Sequence, residues 1–236
     1  AYFESSLKLR QQHDDKPGQV ASLNALATLH RRAGSLYQAL DEHTRALQLA
    51  REVGVAEGIA GSLAKIGRIY AELDDLNPSA DYYRQALDAL DPDEVIERAD
   101  ILCDLGGIYV LQGKLEDAVA AVDQAVQLAE DSGDAATRAT AYGRKSRLLL
   151  AQGDAVTALD WIDRSLAVGE AVDGVRSRLV RRSRRVEILT ANRRFDEAAE
   201  EVQALLPVVR RSGDRLLERD LLQQQAEVLI AAGDPA

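Results

Sequence analysis

A period of forty residues runs the length of the chain and restricts its possible folds more than any other feature. Aligned on one turn residue, Gly34, Asp74, Gly113, Gly153, Arg193 and Gly233 follow one another at steps of 40, 39, 40, 40 and 40. Other positions keep the same register. His30, Tyr70, Tyr109, Leu149, Leu189 and Leu229 stand four residues before the turn, and Ala39, Ser79, Ala118, Ala158 and Ala198 stand five after it. Farther on come His43, Tyr83, Val122, Ile162 and Val202, then Ala46, Ala86, Ala125 and Ser165. In the copy from Leu102 to Leu128, Leu102, Leu105, Gly106 and Tyr109 fall at i, i+3, i+4 and i+7 on one helical face. Ala118, Val122, Ala125 and Val126 make a second such face after Gly113. Each copy reads as a helix, a tight turn and a helix, with apolar surface that only neighbouring copies can cover. A glycine within a helix costs about 1 kcal/mol relative to alanine, so Gly106 marks a place where another helix must come close.

The periodicity predicts first helices over 19–33, 56–73, 95–112, 135–152, 176–192 and 215–232, and second helices over 2–12, 36–53, 78–90, 115–131, 155–172 and 195–211. Gly18, Gly34, Gly54, Gly113, Gly133, Gly153, Gly174 and Gly213 read as helix stops. Pro17, Pro78 and Pro92 fall near helix starts or links, whereas Pro207 is predicted to kink or shorten the last second helix. The expected organisation is one repeat domain over residues 1–236, with five complete helix pairs and a half-repeat at each end. The chain contains no Met, begins on a second helix and stops at Gly233 to Ala236, where another second helix is due, so it reads as a piece of a longer protein.

These residues resemble the tetratricopeptide repeat, whose pattern is a large residue, then Leu-Gly, Tyr, Gly, Ala, an aromatic and Ala at fixed offsets. IGRIYAELDDLNPSADYYRQAL (Ile66 to Leu87) and LGGIYVLQGKLEDAVAAVDQAV (Leu105 to Val126) match it best. The period exceeds the common length of about 34, and the extra residues sit around Gly54, Gly133-Asp134 and Gly213-Asp214. The longer form is similar to repeats of bacterial signalling proteins, among them sensor regions of diguanylate cyclases and histidine kinases and the arrays of MalT-like transcription regulators. The resemblance implies an all-α fold, a right-handed superhelical solenoid of antiparallel helix pairs. It also implies a non-catalytic module that binds a protein or peptide segment, as the sensory or scaffolding part of a larger bacterial protein. Self-association as a homodimer and service as the effector-binding arm of a transcription regulator remain as alternatives.

Composition narrows the function further. Hydrophobic residues at 46% and charged residues at 29% fit a chain that folds in water, and no apolar run approaches the eighteen or so residues of a spanning helix. A net charge of −10 argues against nucleic-acid partners, which demand phosphate neutralisation. The lone Cys103 rules out an internal disulfide and any multi-cysteine metal site. It suits the cytoplasm, or equally the periplasm if the parent is a membrane-anchored sensor.

Neither a catalytic constellation nor a cofactor motif emerges. His13, His30 and His43 lie in the first two copies and Cys103 two copies after His43, roughly 20 Å away for helices packed 8 to 10 Å apart. His30 and His43 occupy positions where other copies pack Tyr or Leu and Tyr or Val, and they read as packing residues. Trp161, beside Ile162, reads as a core or inter-repeat contact.

In the family, first-helix residues line the concave face. Carried across, that surface comprises Asn24, Thr28 and Arg31; Lys65 and Arg68; Asp100, Cys103, Asp104 and Gly107; Arg144 and Arg147; Ser183, Arg184 and Glu187; and Gln223, Gln224 and Glu227. The expected binding residues are Asn24, Lys65, Arg68, Asp104, Arg144, Arg147, Arg181 and Arg184. The sharpest local feature is VRSRLVRRSRRVEIL, Val175 to Leu189, where Arg178, Arg181, Arg182 and Arg185 stand at i, i+3, i+4 and i+7. With Arg144, Lys145 and Arg147 they form a basic strip suited to an acidic segment or small anionic effector. The competing expectation is internal neutralisation by Glu94, Glu97, Asp100, Asp104, Glu218, Asp220 and Glu227.

Overall fold

The structure, a computed structural model, describes residues 2–54 and 56–233, and of Ala56 and Glu57 the backbone alone. The described residues form twelve helices and no strand: α1 (Tyr2–Gln12), α2 (Lys16–Arg32), α3 (Leu36–Val53), α4 (Ala56–Glu72), α5 (Leu76–Ala89) and α6 (Val95–Leu111), then α7 (Leu115–Ser132), α8 (Ala135–Ala151), α9 (Ala155–Gly169), α10 (Val175–Ala191), α11 (Phe195–Ser212) and α12 (Arg215–Ala232). The five helix pairs of the repeat, α2/α3, α4/α5, α6/α7, α8/α9 and α10/α11, are all present, with α1 and α12 flanking them.

One backbone device makes every pair. The turn residues Gly34, Asp74, Gly113, Gly153 and Arg193 have φ of 80°, 60°, 73°, 85° and 59°, all left-handed. The amide after each turn residue donates to the carbonyl five residues back, Ser35 to His30, Asp75 to Tyr70, Lys114 to Tyr109, Asp154 to Leu149 and Arg194 to Leu189, each at 2.9 Å. This is the Schellman closure, which satisfies carbonyls that the end of a helix leaves without a partner. Asp74 and Arg193 adopt the conformation despite their side chains, within the same local closure.

Small residues let the two helices of a pair approach. Ala39, Ser79, Ala118, Ala158 and Ala198 have no exposed surface. Gly67, in the register of Gly106, leaves little room for a side chain: an added Cβ would lie 3.2 Å from the Ser79 carbonyl oxygen and 3.3 Å from the Tyr83 ring.

The chain divides into two compact units, residues 1–121 and 122–236. The first packs Leu63, Ile66, Tyr83, Ala86, Ile101 and Leu105 around α4, α5 and α6. The second packs Ile162, Leu179, Val186, Leu189, Val202 and Leu205 around α9, α10 and α11.

Several helix ends differ from the sequence expectation. Gly18 lies inside α2, which begins at Lys16 because the Asp15 carboxylate caps it by accepting from the Gly18 amide at 3.0 Å. Gly174 precedes α10 as its N-cap and does not stop a helix. Pro78 sits in the first turn of α5, where amides need no intrahelical partner. Helix α11 continues through Pro207 to Ser212 and is not shortened. Pro207 and Gln203, whose carbonyl loses its partner, both face solvent, while Val202, Leu205, Leu206 and Val209 anchor the helix on either side of the proline. The predicted chain end at Asp234 to Ala236 lies outside the described residues.

Candidate functional site

Asn24 on α2, Lys65 and Arg68 on α4 and Asp104 on α6 line one cavity of about 540 Å³ in the first unit. Its walls are mostly apolar, with Val20, Ala21, Val53, Leu90 and Ile101 among them. Four of the eight expected residues are therefore brought together. The Asn24 amide oxygen lies 2.8 Å from Nδ1 of His43. His43 is buried, and burial, followed by the nearby Lys65 and Arg31, lowers its pKa to about 4. The ring is thus neutral near pH 7 and donates its Nδ1 proton to the amide. Arg68 donates to the Asp104 carboxylate at 2.6 Å, and the Tyr83 hydroxyl donates to the same oxygen at 3.4 Å. Asp104 raises the Arg68 pKa.

Lys65 differs from its neighbours. It is half-buried, has no carboxylate within ion-pair distance among the described residues, and has its pKa lowered by burial and then by Arg68. Its ammonium makes no hydrogen bond among the described residues, and a ligand can supply an acceptor.

Gly61 shapes the same cavity. It lies mid-helix in α4, yet an added Cβ would meet nothing within 4 Å among the described residues. Packing thus explains Gly67 but not Gly61. The sequence signal was a glycine at the position where other copies carry Ala21, Asp100, Thr140, Val180 and Asp220. The apolar walls had no distinguishing signal, since apolar spacing reports cores and grooves alike.

In the second unit the basic strip separates into two groups. Arg182 donates to Glu201 at 2.6 Å and Arg185 to Asp163 at 2.6 Å. Arg181, an expected binding residue, is held by the Asp173 carboxylate and by Ser165 Oγ at 2.9 Å. Lys145 pairs with Asp123, and Arg178 donates to the Glu170 carbonyl oxygen at 3.3 Å. Neutralisation operates at these residues through Asp123, Asp163, Asp173 and Glu201. Arg147 and Arg184 form the other group: both are half-buried, and neither has a carboxylate within ion-pair distance among the described residues, while Arg144 is half-buried beside them. Arg184 borders a second cavity of about 570 Å³ together with Ser183, Gln223 and Gln224, and the Ser183 hydroxyl donates to Gln224 at 3.1 Å.

The remaining sequence candidates have local roles. His30 contacts Glu42 at 3.0 Å and is half-buried, so it is a polar contact where packing was expected. Trp161 meets the edge of Tyr142 with ring centres 5.1 Å apart, within its own helix pair, and lies under Arg164. Cys103 is buried. Among the described residues no group of three or more His, Cys, Asp or Glu could hold a metal ion, and no helix is long and apolar enough to cross a membrane.

The tetratricopeptide repeat pattern matches residues 18–91 and 97–172. The chain belongs to the tetratricopeptide repeat family. Such repeats generally mediate protein–protein interaction. No curated protein sequence matches the chain. Among solved structures it is similar to aspartyl phosphate phosphatase F from Bacillus subtilis, with a TM-score of 0.74, 15% identity, and coverage of 94% of this chain and 59% of that one. It is similar to a Rap protein complexed with competence and sporulation factor, with a TM-score of 0.73, 17% identity, and coverage of 92% and 67%. A third is a signal transduction ATPase with numerous domains from Pyrococcus horikoshii, which carries a tetratricopeptide repeat sensor; the TM-score is 0.71, identity 14%, and coverage 99% and 37%. At these identities the likeness is one of fold.

Proposed function

We propose that this chain is a non-catalytic recognition module, the sensory or scaffolding segment of a larger bacterial signalling or regulatory protein, and that the first unit's cavity receives an extended peptide segment. Gly61 carries the reading. A mid-helix glycine costs about 1 kcal/mol, and here no neighbouring group among the described residues occupies the space a side chain would fill. The cost is offset when a ligand backbone approaches the helix at that point. Apolar walls, the ammonium of Lys65 and the Asn24 amide supply what a peptide needs, side-chain burial and polar anchors for its carbonyls. The Rap protein complexed with competence and sporulation factor and the repeat sensor of the Pyrococcus ATPase support the same reading by likeness of fold.

The test is selection of binders from a displayed random-peptide library on the 236-residue chain, followed by fluorescence anisotropy of the best binder. Gly61→Phe is expected to weaken binding by more than tenfold while leaving thermal stability unchanged or higher, since phenylalanine is the better helix former. Undiminished binding by Gly61→Phe sinks the proposal. Self-association is the alternative, favoured by Leu216, Leu222 and Ile230 on α12, which are 63%, 41% and 74% exposed. A molar mass independent of concentration would eliminate it.

A further inference from the structure

Arginine partnering in the second unit is uneven in a way that the acid content of the chain does not explain. With 39 acidic residues against 29 basic ones, carboxylates are plentiful. Arg176, Arg181, Arg182 and Arg185 each have one within ion-pair distance. Arg147 and Arg184 have none among the described residues, although both are half-buried. They are also not dispersed. Arg184 holds the repeat position of Arg144, forty residues on, and Arg147 follows Arg144 by one helical turn.

Like charge bears on both Arg184 and Arg147. Burial, then Arg147 and Arg144, lowers the Arg184 pKa to about 10, and burial, then Arg144, lowers that of Arg147. Glu187 opposes both shifts from beyond 4 Å. The other acids at the Arg184 cavity are engaged: Asp220 with Arg219 at 2.9 Å, and Glu227 with the Gln223 amide at 2.9 Å. Ser183, Gln223 and Gln224 add neutral hydrogen-bonding groups to the same wall.

We propose that Arg147 and Arg184, with Arg144 beside them, form a receptor for a multiply charged oxyanion, presented by a ligand as a phosphoryl group or as paired carboxylates. Each guanidinium offers a planar fork of N–H donors that matches two oxygens of such a group. Bound charge relieves the repulsion between Arg147 and Arg184. This receptor shares no residue with the cavity of the first unit, so either proposal can fail alone.

The test is calorimetric titration of the 236-residue chain at low ionic strength, with inorganic phosphate in one arm and succinate in the other. One of the two is expected to bind with one-to-one stoichiometry, and the arm that responds assigns the phosphoryl or the dicarboxylate form. Arg184→Gln and Arg147→Gln should each weaken that binding by about tenfold or more, while Arg211→Gln, an exposed change of equal charge on α11, leaves it intact. Thermal unfolding without ligand gives a second readout. Arg184→Gln should hold or raise the midpoint, because it removes a like charge. Absence of binding at millimolar concentration, equal weakening by Arg211→Gln, or a midpoint lowered by Arg184→Gln overturns the proposal.

Discussion

The two units bury polar groups between helices by different chemistry. In the first, the contact is neutral: the His43 imidazole on α3 meets the Asn24 amide on α2 at 2.8 Å. In the second it is charged. Arg181 on α10 reaches back to Asp173 and to Ser165 Oγ on α9, and that hydroxyl donates to the Ala139 carbonyl oxygen on α8 at 2.6 Å. The ion pair is well covered, with the Arg181 and Asp173 side chains 12% and 9% exposed. The same turn and the same small-residue packing thus support both kinds of interior. The repeat fixes the backbone and leaves its polar content free, which is how one scaffold can carry a mostly apolar cavity bordered by Lys65, Arg68 and Asp104 in one unit and an arginine cluster in the other.

Removing the acid of the buried pair should have the largest effect. Asp173→Ala leaves the Arg181 charge uncompensated and is expected to cost about 3–5 kcal/mol, read from urea unfolding. A cost below about 1 kcal/mol, typical of a solvated pair, would erase the contrast between the units. Acid should act on the first unit through His43. With a folded pKa of about 4 against an ordinary value of 6.5, the unfolded chain binds the proton first as pH falls. Stability contributed by the neutral ring is therefore complete above pH 6.5 and is lost between that value and about pH 4. The slope reaches at most about 1.4 kcal/mol per pH unit for one proton. His43→Gln should flatten this segment of the stability profile, and a profile identical to the parent would refute the assignment.

The smallest effects concern the shared turn. Arg193→Gly should raise stability by about 1 kcal/mol, because glycine takes the left-handed conformation without its side-chain penalty. Asp74→Gly, the counterpart in the first unit, should gain less, since Asp tolerates that region better. Thermal melts of the two variants compare the units at an identical backbone position. A larger gain at Asp74 would show that local context there outweighs the intrinsic preference.

The sequence by itself determined the forty-residue period, the position of each turn and the faces that pack. These depend on neighbours within a few residues: the i, i+3, i+4 spacing, alanine where helices touch, and a left-handed turn residue even at Asp74 and Arg193, which the alignment placed correctly without a glycine. Gly18, Gly174 and Pro207 misled because a residue type permits a helix end without requiring one. Asp15 captured the start of α2, and apolar anchoring carried α11 through its proline. The tertiary structure decided which charges are satisfied. Arg181, Arg182 and Arg185 find Asp173, Glu201 and Asp163 on elements that only folding brings near, whereas Arg147 and Arg184, of the same residue type, have no such partner among the described residues. It also decided that one mid-helix glycine packs against a neighbouring helix and another opens onto a cavity. Helix ends and amphipathic faces follow from bonds and spacings along the chain, but an ion pair or a void depends on the placement of side chains many residues apart, to within an ångström or two.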